Sequence, residues 1–172
     1  MAVLCDWEIR ARAEGGQMVV PFNPELLNPA SLDVVLGDQL MIETMHQEEL
    51  LRLDISDRTE DEPYKLLPGH FCLAETRELF NLPDDISAQF VLKSSRARLG
   101  QNHLLAGWCD PGWHGSKLTL ELKNERRYHS LPLYPGLKIG QMVFHWMSNV
   151  PQASYRLTGH YNNHETVMPS VV

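Results

Sequence analysis

The stretch from Lys93 to Glu121, KSSRARLGQNHLLAGWCDPGWHGSKLTLE, decides how the fold is read. At its end, in Lys117-Leu-Thr-Leu-Glu-Leu-Lys123, a period of two puts Leu118, Leu120 and Leu122 on one face and Thr119 and Glu121 on the other. Such alternation marks a strand with one buried face. Just before it, Asp110-Pro-Gly112 has the residues of a β-turn, with aspartate first and proline second. At the start of the stretch, Ser94 and Ser95 lie among Lys93, Arg96 and Arg98. That segment is either a polar turn between strands or a phosphate site, since hydroxyls, backbone N–H groups and guanidinium all donate to phosphate oxygens. It lacks Walker A spacing.

Working outward, short apolar runs at 31–37, 40–45, 51–55, 71–76 and 137–146 alternate with turn signals such as Leu66-Leu-Pro-Gly-His70, Leu82-Pro-Asp-Asp85 and Leu131-Pro-Leu-Tyr-Pro-Gly136. Many short strands between Pro/Gly turns predict an all-β barrel or sandwich-like fold. The one helix expected is short and N-terminal. Asp6 caps it, Trp7 to Glu14 form it, Glu8 and Arg12 pair at i,i+4, and Gly15-Gly16 end it. The acidic segment from Gln47 to Tyr64 reads as a solvated loop around the short strand at 51–55. The polar tail, Tyr155 to Val172, has no core pattern and is expected to be either flexible or ordered over a ligand.

The 172 residues suit a single domain spanning 1–172. An apolar share of 43% and a charged share of 22% are those of a soluble protein, and no apolar run approaches the roughly 18 residues of a membrane span. The opening MAVLCDWEIR does not read as a secretory leader, so a cytoplasmic protein is expected. Cys5, Cys72 and Cys109 form no C-x-x-C pair and suggest no disulfide framework. A net charge of −7 disfavours a nucleic-acid polymer as partner, while the cations at 93, 96 and 98 leave room for a small anion. His46-Gln-Glu48 matches half of the zinc nucleobase deaminase signature, but its P-C-x-x-C half is missing, so no zinc is expected.

Two carboxylates stand open to either of two readings. Glu121 is an exposed strand residue or a general base on a pocket rim, and Asp110 is a turn former or an activator of water. Residue pattern alone does not choose.

Several separate pieces join these readings. Leu4-Cys-Asp6, Pro29-Ala-Ser-Leu-Asp-Val-Val-Leu-Gly37, Leu67-Pro-Gly69, Leu82-Pro-Asp84, Ser94-Ser-Arg-Ala-Arg-Leu-Gly100, Ala106-Gly-Trp-Cys-Asp-Pro-Gly112, Leu120-Glu121 and Pro135-Gly-Leu-Lys-Ile-Gly-Gln141 together resemble the dCTP deaminase family of the dUTPase superfamily. The resemblance implies a mainly all-β fold of the β-clip, distorted jelly-roll kind, with a short N-terminal helix. It also implies a homotrimer whose active sites are shared between neighbouring subunits. The implied reaction is hydrolytic deamination of dCTP to dUTP and ammonia by zinc-independent attack of water at cytosine C4.

By that resemblance Glu121 is the catalytic glutamate, Arg98 orients it, and Ser94 lies beside the reacting centre. A cation lowers a carboxylate pKa while burial raises it, a balance that lets Glu121 both take and return a proton. Lys93 and Ser95 are implied to contact phosphate, Trp113 the deoxyribose, the backbone near Ala106 and Thr119 the base edge, and Tyr155 a phosphate. Mg²⁺ is expected through the triphosphate oxygens, without a protein metal site. The loop Gln101 to Leu105 is one residue short of the family pattern, with Leu105 for a threonine, and the run Trp113 to Leu118 is one residue long. His160 and His164 stand in place of lysine and glutamine, so triphosphate affinity is expected to be weaker and pH dependent.

The Ala106-Gly-Trp-Cys-Asp110 run also resembles dUTPases and bifunctional deaminase-diphosphatases, in which the aspartate activates water against the α-phosphate. The alternative function is therefore dUTP diphosphatase or a bifunctional enzyme using Asp110. A nucleotide sensor without catalysis would be expected to have lost Glu121 or Arg98, and both are present.

Overall fold

The strand that the period of two predicts is present, and residues 114–124 bury every second side chain from Ser116 to Asn124. The computed structural model describes residues 2–171; Met1 and Val172, the ends of the expected domain and tail, lie outside the described residues. In chain order the elements are β1 (Ala2–Val3), α1 (Asp6–Gly16), β2 (Val19–Val20), a 3-10 turn (Pro24–Leu26), β3 (Leu27–Asn28), β4 (Ser31–Thr44), β5 (Gln47–Asp54) and β6 (Tyr64–Leu66). There follow β7 (Phe71–Asn81), β8 (Ile86–Leu92), α2 (Ser94–Arg98), β9 (Gln101–His103), β10 (Trp108–Cys109), β11 (His114–Asn124), β12 (Leu131–Leu133), β13 (Lys138–Trp146) and α3 (Tyr155–Thr158).

Among the described residues eleven strands join in one curled antiparallel sheet, whose main path runs β10-β8-β13-β4-β7-β11-β9. β12 and β6 pair separately. The mainly all-β expectation with a short N-terminal helix holds. Phe80, Phe144, Leu36, Leu40, Ile86 and Leu120 are fully buried in one continuous core. Among the described residues no helix is long and apolar enough to cross a membrane.

Four local expectations change. The runs at 31–37 and 40–45 are one strand, because Gly37 is a gap rather than a stop. A Cβ there would come within 2.7 Å of the buried Glu75 side chain. The first part of the acidic segment forms β5, which is mostly exposed but pairs with β4 from Gln39↔Asp54 to Thr44↔Gln47. At the N-terminus Cys5, not Asp6, is the cap residue, and Glu8 is occupied in accepting the Cys5 N–H at 2.9 Å. Arg12 is thereby free to bond Asp85 at 2.9 Å and to lie over the Trp146 ring, and the i,i+4 pair is Arg10–Glu14 instead. Finally, the Ser94-Ser95 segment is a short helix, not a turn.

The tail is ordered along β11. β9 pairs only with Leu122, Lys123 and Asn124, which leaves the earlier edge of β11 open. Residues 161–168 fill it. Lys117 N donates to His164 O at 2.9 Å, Asn163 N to His114 O at 3.0 Å, and Trp113 Nε1 to Tyr161 O at 2.8 Å. His164 N and Met168 N donate in turn to the hydroxyls of Ser116 and Thr119.

Candidate active site

A cavity of about 490 Å³ lies between β11, β10 and the tail, and its lining includes Ala106, Trp108, Asp110, Glu121, Tyr155 and His164. Its floor follows from strand alternation. Thr119 and Glu121 point away from the core because Leu118, Leu120 and Leu122 point into it. Its wall follows from the Asp110 turn, where Trp113 N donates back to Asp110 O at 3.2 Å and Gly112 takes a φ of +87°. Only glycine adopts that conformation without strain.

The electrostatics centre on two carboxylates with a thiol between them. Cys109 is buried, and burial first, then the charges of Asp110 and Glu121, push its thiol up to about 12. It is a neutral packing group there. Glu121 Oε2 lies 3.2 Å from Nε2 of the buried His103, close but out of hydrogen-bond alignment. Burial, partly offset by a hydrogen bond with Tyr161 and reinforced by nearby Asp110, raises the Tyr155 phenol. Lys117 also lines the cavity, but its ammonium is held at 2.6 Å by the fully buried Glu75.

Seven of the twelve residues singled out from the sequence share this cavity: Glu121, Asp110, Ala106, Trp113, Thr119, Tyr155 and His164. Trp113 is mostly a core residue stacked on Phe80 at 5.6 Å, with only an edge at the cavity. The Thr119 hydroxyl accepts the Met168 N–H at 3.3 Å, so that side chain holds the tail. Ser94, Ser95, Arg98, Lys93 and His160 do not line the cavity of this chain. Ser94, Ser95 and Arg98 lie on exposed faces of α2, with Arg98 Nε donating to Ser94 Oγ at 3.2 Å. Lys93 Nζ binds the buried carboxylate of Asp33 at 2.6 Å. His160 is exposed at the start of the tail strap. Sequence reasoning missed His103, Trp108, Lys117 and Tyr161. Only Trp108 had a signal, standing two residues before Asp110 on the same strand face.

The model of the dCTP deaminase-like family matches residues 3–147. The chain belongs to that family. A protein of Methanosphaerula palustris named "dCTP deaminase, dUMP-forming" is 38% identical over 159 residues, covering 87% of this chain and 84% of that protein. One of Methanospirillum hungatei with the same name is 40% identical over 151 residues, covering 83% and 80%. Among solved structures, 2'-deoxycytidine 5'-triphosphate deaminase from Agrobacterium tumefaciens superposes with a TM-score of 0.68 at 22% identity. The match covers 84% of this chain and 48%, about half, of that one, and it shows the shared fold.

The dCTP deaminase-like resemblance and the expectation of an enzyme are thus borne out. The expected product is not. These relatives are named for forming dUMP, which overturns the reading of dUTP as the end product.

Proposed function

We propose that this member of the dCTP deaminase-like family converts dCTP to dUMP, releasing ammonia and pyrophosphate, with one carboxylate serving each hydrolysis. The observation that carries the reading is that Glu121 and Asp110 line one cavity. Going from dCTP to dUMP consumes two waters. One attacks C4 and displaces ammonia; the other attacks the α-phosphorus and displaces pyrophosphate. Each attacking water gives up a proton, so each centre needs a base within reach. Glu121 takes the proton at C4 and returns one toward N3 and the leaving ammonia. Asp110 takes the proton at the α-phosphorus. The names of the relatives support the dUMP product.

The cavity of one chain is incomplete for this chemistry. Among the described residues the one Lys or Arg lining the cavity, Lys117, is paired with Glu75. α2 presents Ser94, Ser95 and Arg98 on an exposed surface, next to the exposed apolar side chains Leu99, Leu104 and Leu105. In our reading α2 of a neighbouring subunit completes the site in a homotrimer, bringing Arg98 to Glu121 and the serine hydroxyls to the nucleotide. Tyr155 and His164 hold the phosphates from the tail side. Among the described residues no group of three His, Cys, Asp or Glu is placed to hold a metal. The isolated carboxylates suit a Mg²⁺ ion that is carried by triphosphate oxygens and keeps several waters.

The test is to incubate the protein with dCTP and Mg²⁺ and to quantify ammonia, pyrophosphate and the nucleotide products. Equal amounts of ammonia, pyrophosphate and dUMP are expected, and Glu121→Gln is expected to release no ammonia while keeping the wild-type unfolding midpoint. Absence of ammonia from the wild type would refute the deaminase reading. Ammonia without pyrophosphate would remove Asp110 from the chemistry.

A further inference from the structure

Trp108 is half exposed, at 50%, in a place where so large an apolar ring has a poor packing return. Its surroundings nevertheless fix it. β10 pairs with β8 through Trp108↔Gln89, and the indole stacks on His145 of β13 with ring centroids 6.0 Å apart and planes 26° from parallel. On the other side its Nε1–H donates to Asp110 Oδ1 at 3.0 Å. The period of two explains the pairing: Trp108 and Asp110 project to the cavity side while Cys109 between them is buried.

The carboxylate is thus held from two directions. The Asp110-Pro-Gly turn fixes its backbone, and the indole fixes one oxygen. Among the described residues the second oxygen, Oδ2, has no hydrogen-bond donor. An indole is a donor only, so it bonds the oxygen without competing for the proton of an attacking water.

We propose that Trp108 is a positioning residue for the phosphoanhydride step, aiming Asp110 Oδ2 at the attacking water. This rests on the reading of Asp110 given above. Because Trp108 acts through Asp110, its loss lowers turnover at the phosphorus more than substrate binding.

The test uses the full chain with dCTP and Mg²⁺ and compares the wild type, Trp108→Phe and Asp110→Asn. Phenylalanine keeps a ring on His145 and removes the N–H. Hydrogen bonds to charged groups predict a fall of about ten- to a hundredfold in kcat for pyrophosphate release. KM for dCTP should stay within about twofold, and dUTP should appear beside dUMP among the products. A parallel fall of ammonia and pyrophosphate, or an unchanged kcat for pyrophosphate, overturns the positioning role. If Asp110→Asn still releases pyrophosphate, the assignment of Asp110 fails and Trp108 with it. If Asp110→Asn blocks release while Trp108→Phe does not, only the role of Trp108 falls.

Discussion

Replacing Glu75 by glutamine should release the tail from the cavity. Glu75 is fully buried on β7, and its two oxygens do different jobs. Oε1 holds Lys117 Nζ at 2.6 Å, and Oε2 accepts the Val167 N–H at 2.8 Å. Val167 is itself buried against Met41 and Leu73, so one carboxylate ties the strand floor to the strap over it. Glutamine has the same shape, but its amide turns a donor toward one of two donors. Breaking a buried ion pair costs about 3–5 kcal/mol, and Lys117, at 25% side-chain exposure, recovers part of that from water. A net loss of about 2 kcal/mol in tail docking corresponds to a roughly thirtyfold shift toward the open tail. Native-state hydrogen exchange reads this directly. The Val167 amide and the peptide spanning 159–171 should exchange about thirtyfold faster, and KM for dCTP should rise with the open fraction. The pair would be only a support for the sheet, and the reasoning refuted, if the unfolding midpoint fell while exchange across 159–171 kept its wild-type rate.

The shared site is tested by subunit mixing. Arg98→Ala and Glu121→Gln should each be inactive alone, and co-expression should restore up to about one native site per mixed trimer. A mixture as inactive as its parents would place both residues in one chain's site or rule out the trimer. A separate prediction concerns pH. Burial pushes the Glu78 carboxyl up from its ordinary 4.5 to about 7. The folded chain therefore keeps a proton that the unfolded chain has released above pH 4.5. That contribution to stability is fully present below pH 4.5 and is lost as pH rises through 7, by up to about 3 kcal/mol. Glu78→Gln keeps an acceptor for the Val35 N–H, now at 3.1 Å, and removes the charge. Urea midpoints should show the variant gaining on the wild type between pH 5 and pH 8. An equal difference at both pH values would contradict the assignment.

What was legible in the sequence was what depends on local period and turn chemistry. Leu118, Leu120 and Leu122 announce the buried face of β11, and Asp110-Pro-Gly112 announces its turn. Features made by distant partners were not legible. Gly37 looks like a strand stop until the Glu75 side chain is seen to need its space. Glu8 and Arg12 look like a pair until the Cys5 amide and Asp85 claim them. The tail has no period because it is held through its own backbone, by backbone groups and the Ser116 and Thr119 hydroxyls of β11, the Trp113 indole and one buried carboxylate. His103 reaches Glu121 only through the register of β9 on β11, and nothing in its neighbours marks it among eight histidines.

Lys93 shows how resemblance and geometry constrain each other. The family pattern gives it to a phosphate, yet its ammonium sits 2.6 Å from Asp33, a carboxylate that is 5% exposed and also accepts from Asn28 at 2.9 Å. Leaving that partner would strand a buried charge, a cost of several kcal/mol that a solvated phosphate contact does not return. Lys138 lies 3.7 Å from the same Asp33 oxygen and is half exposed, so it can close on the carboxylate as Lys93 withdraws. A phosphate role for Lys93 therefore requires Lys138 as its replacement at Asp33. Without that exchange, Lys93 serves to fix the start of α2 against β4, and so to set where Ser94 and Arg98 are presented.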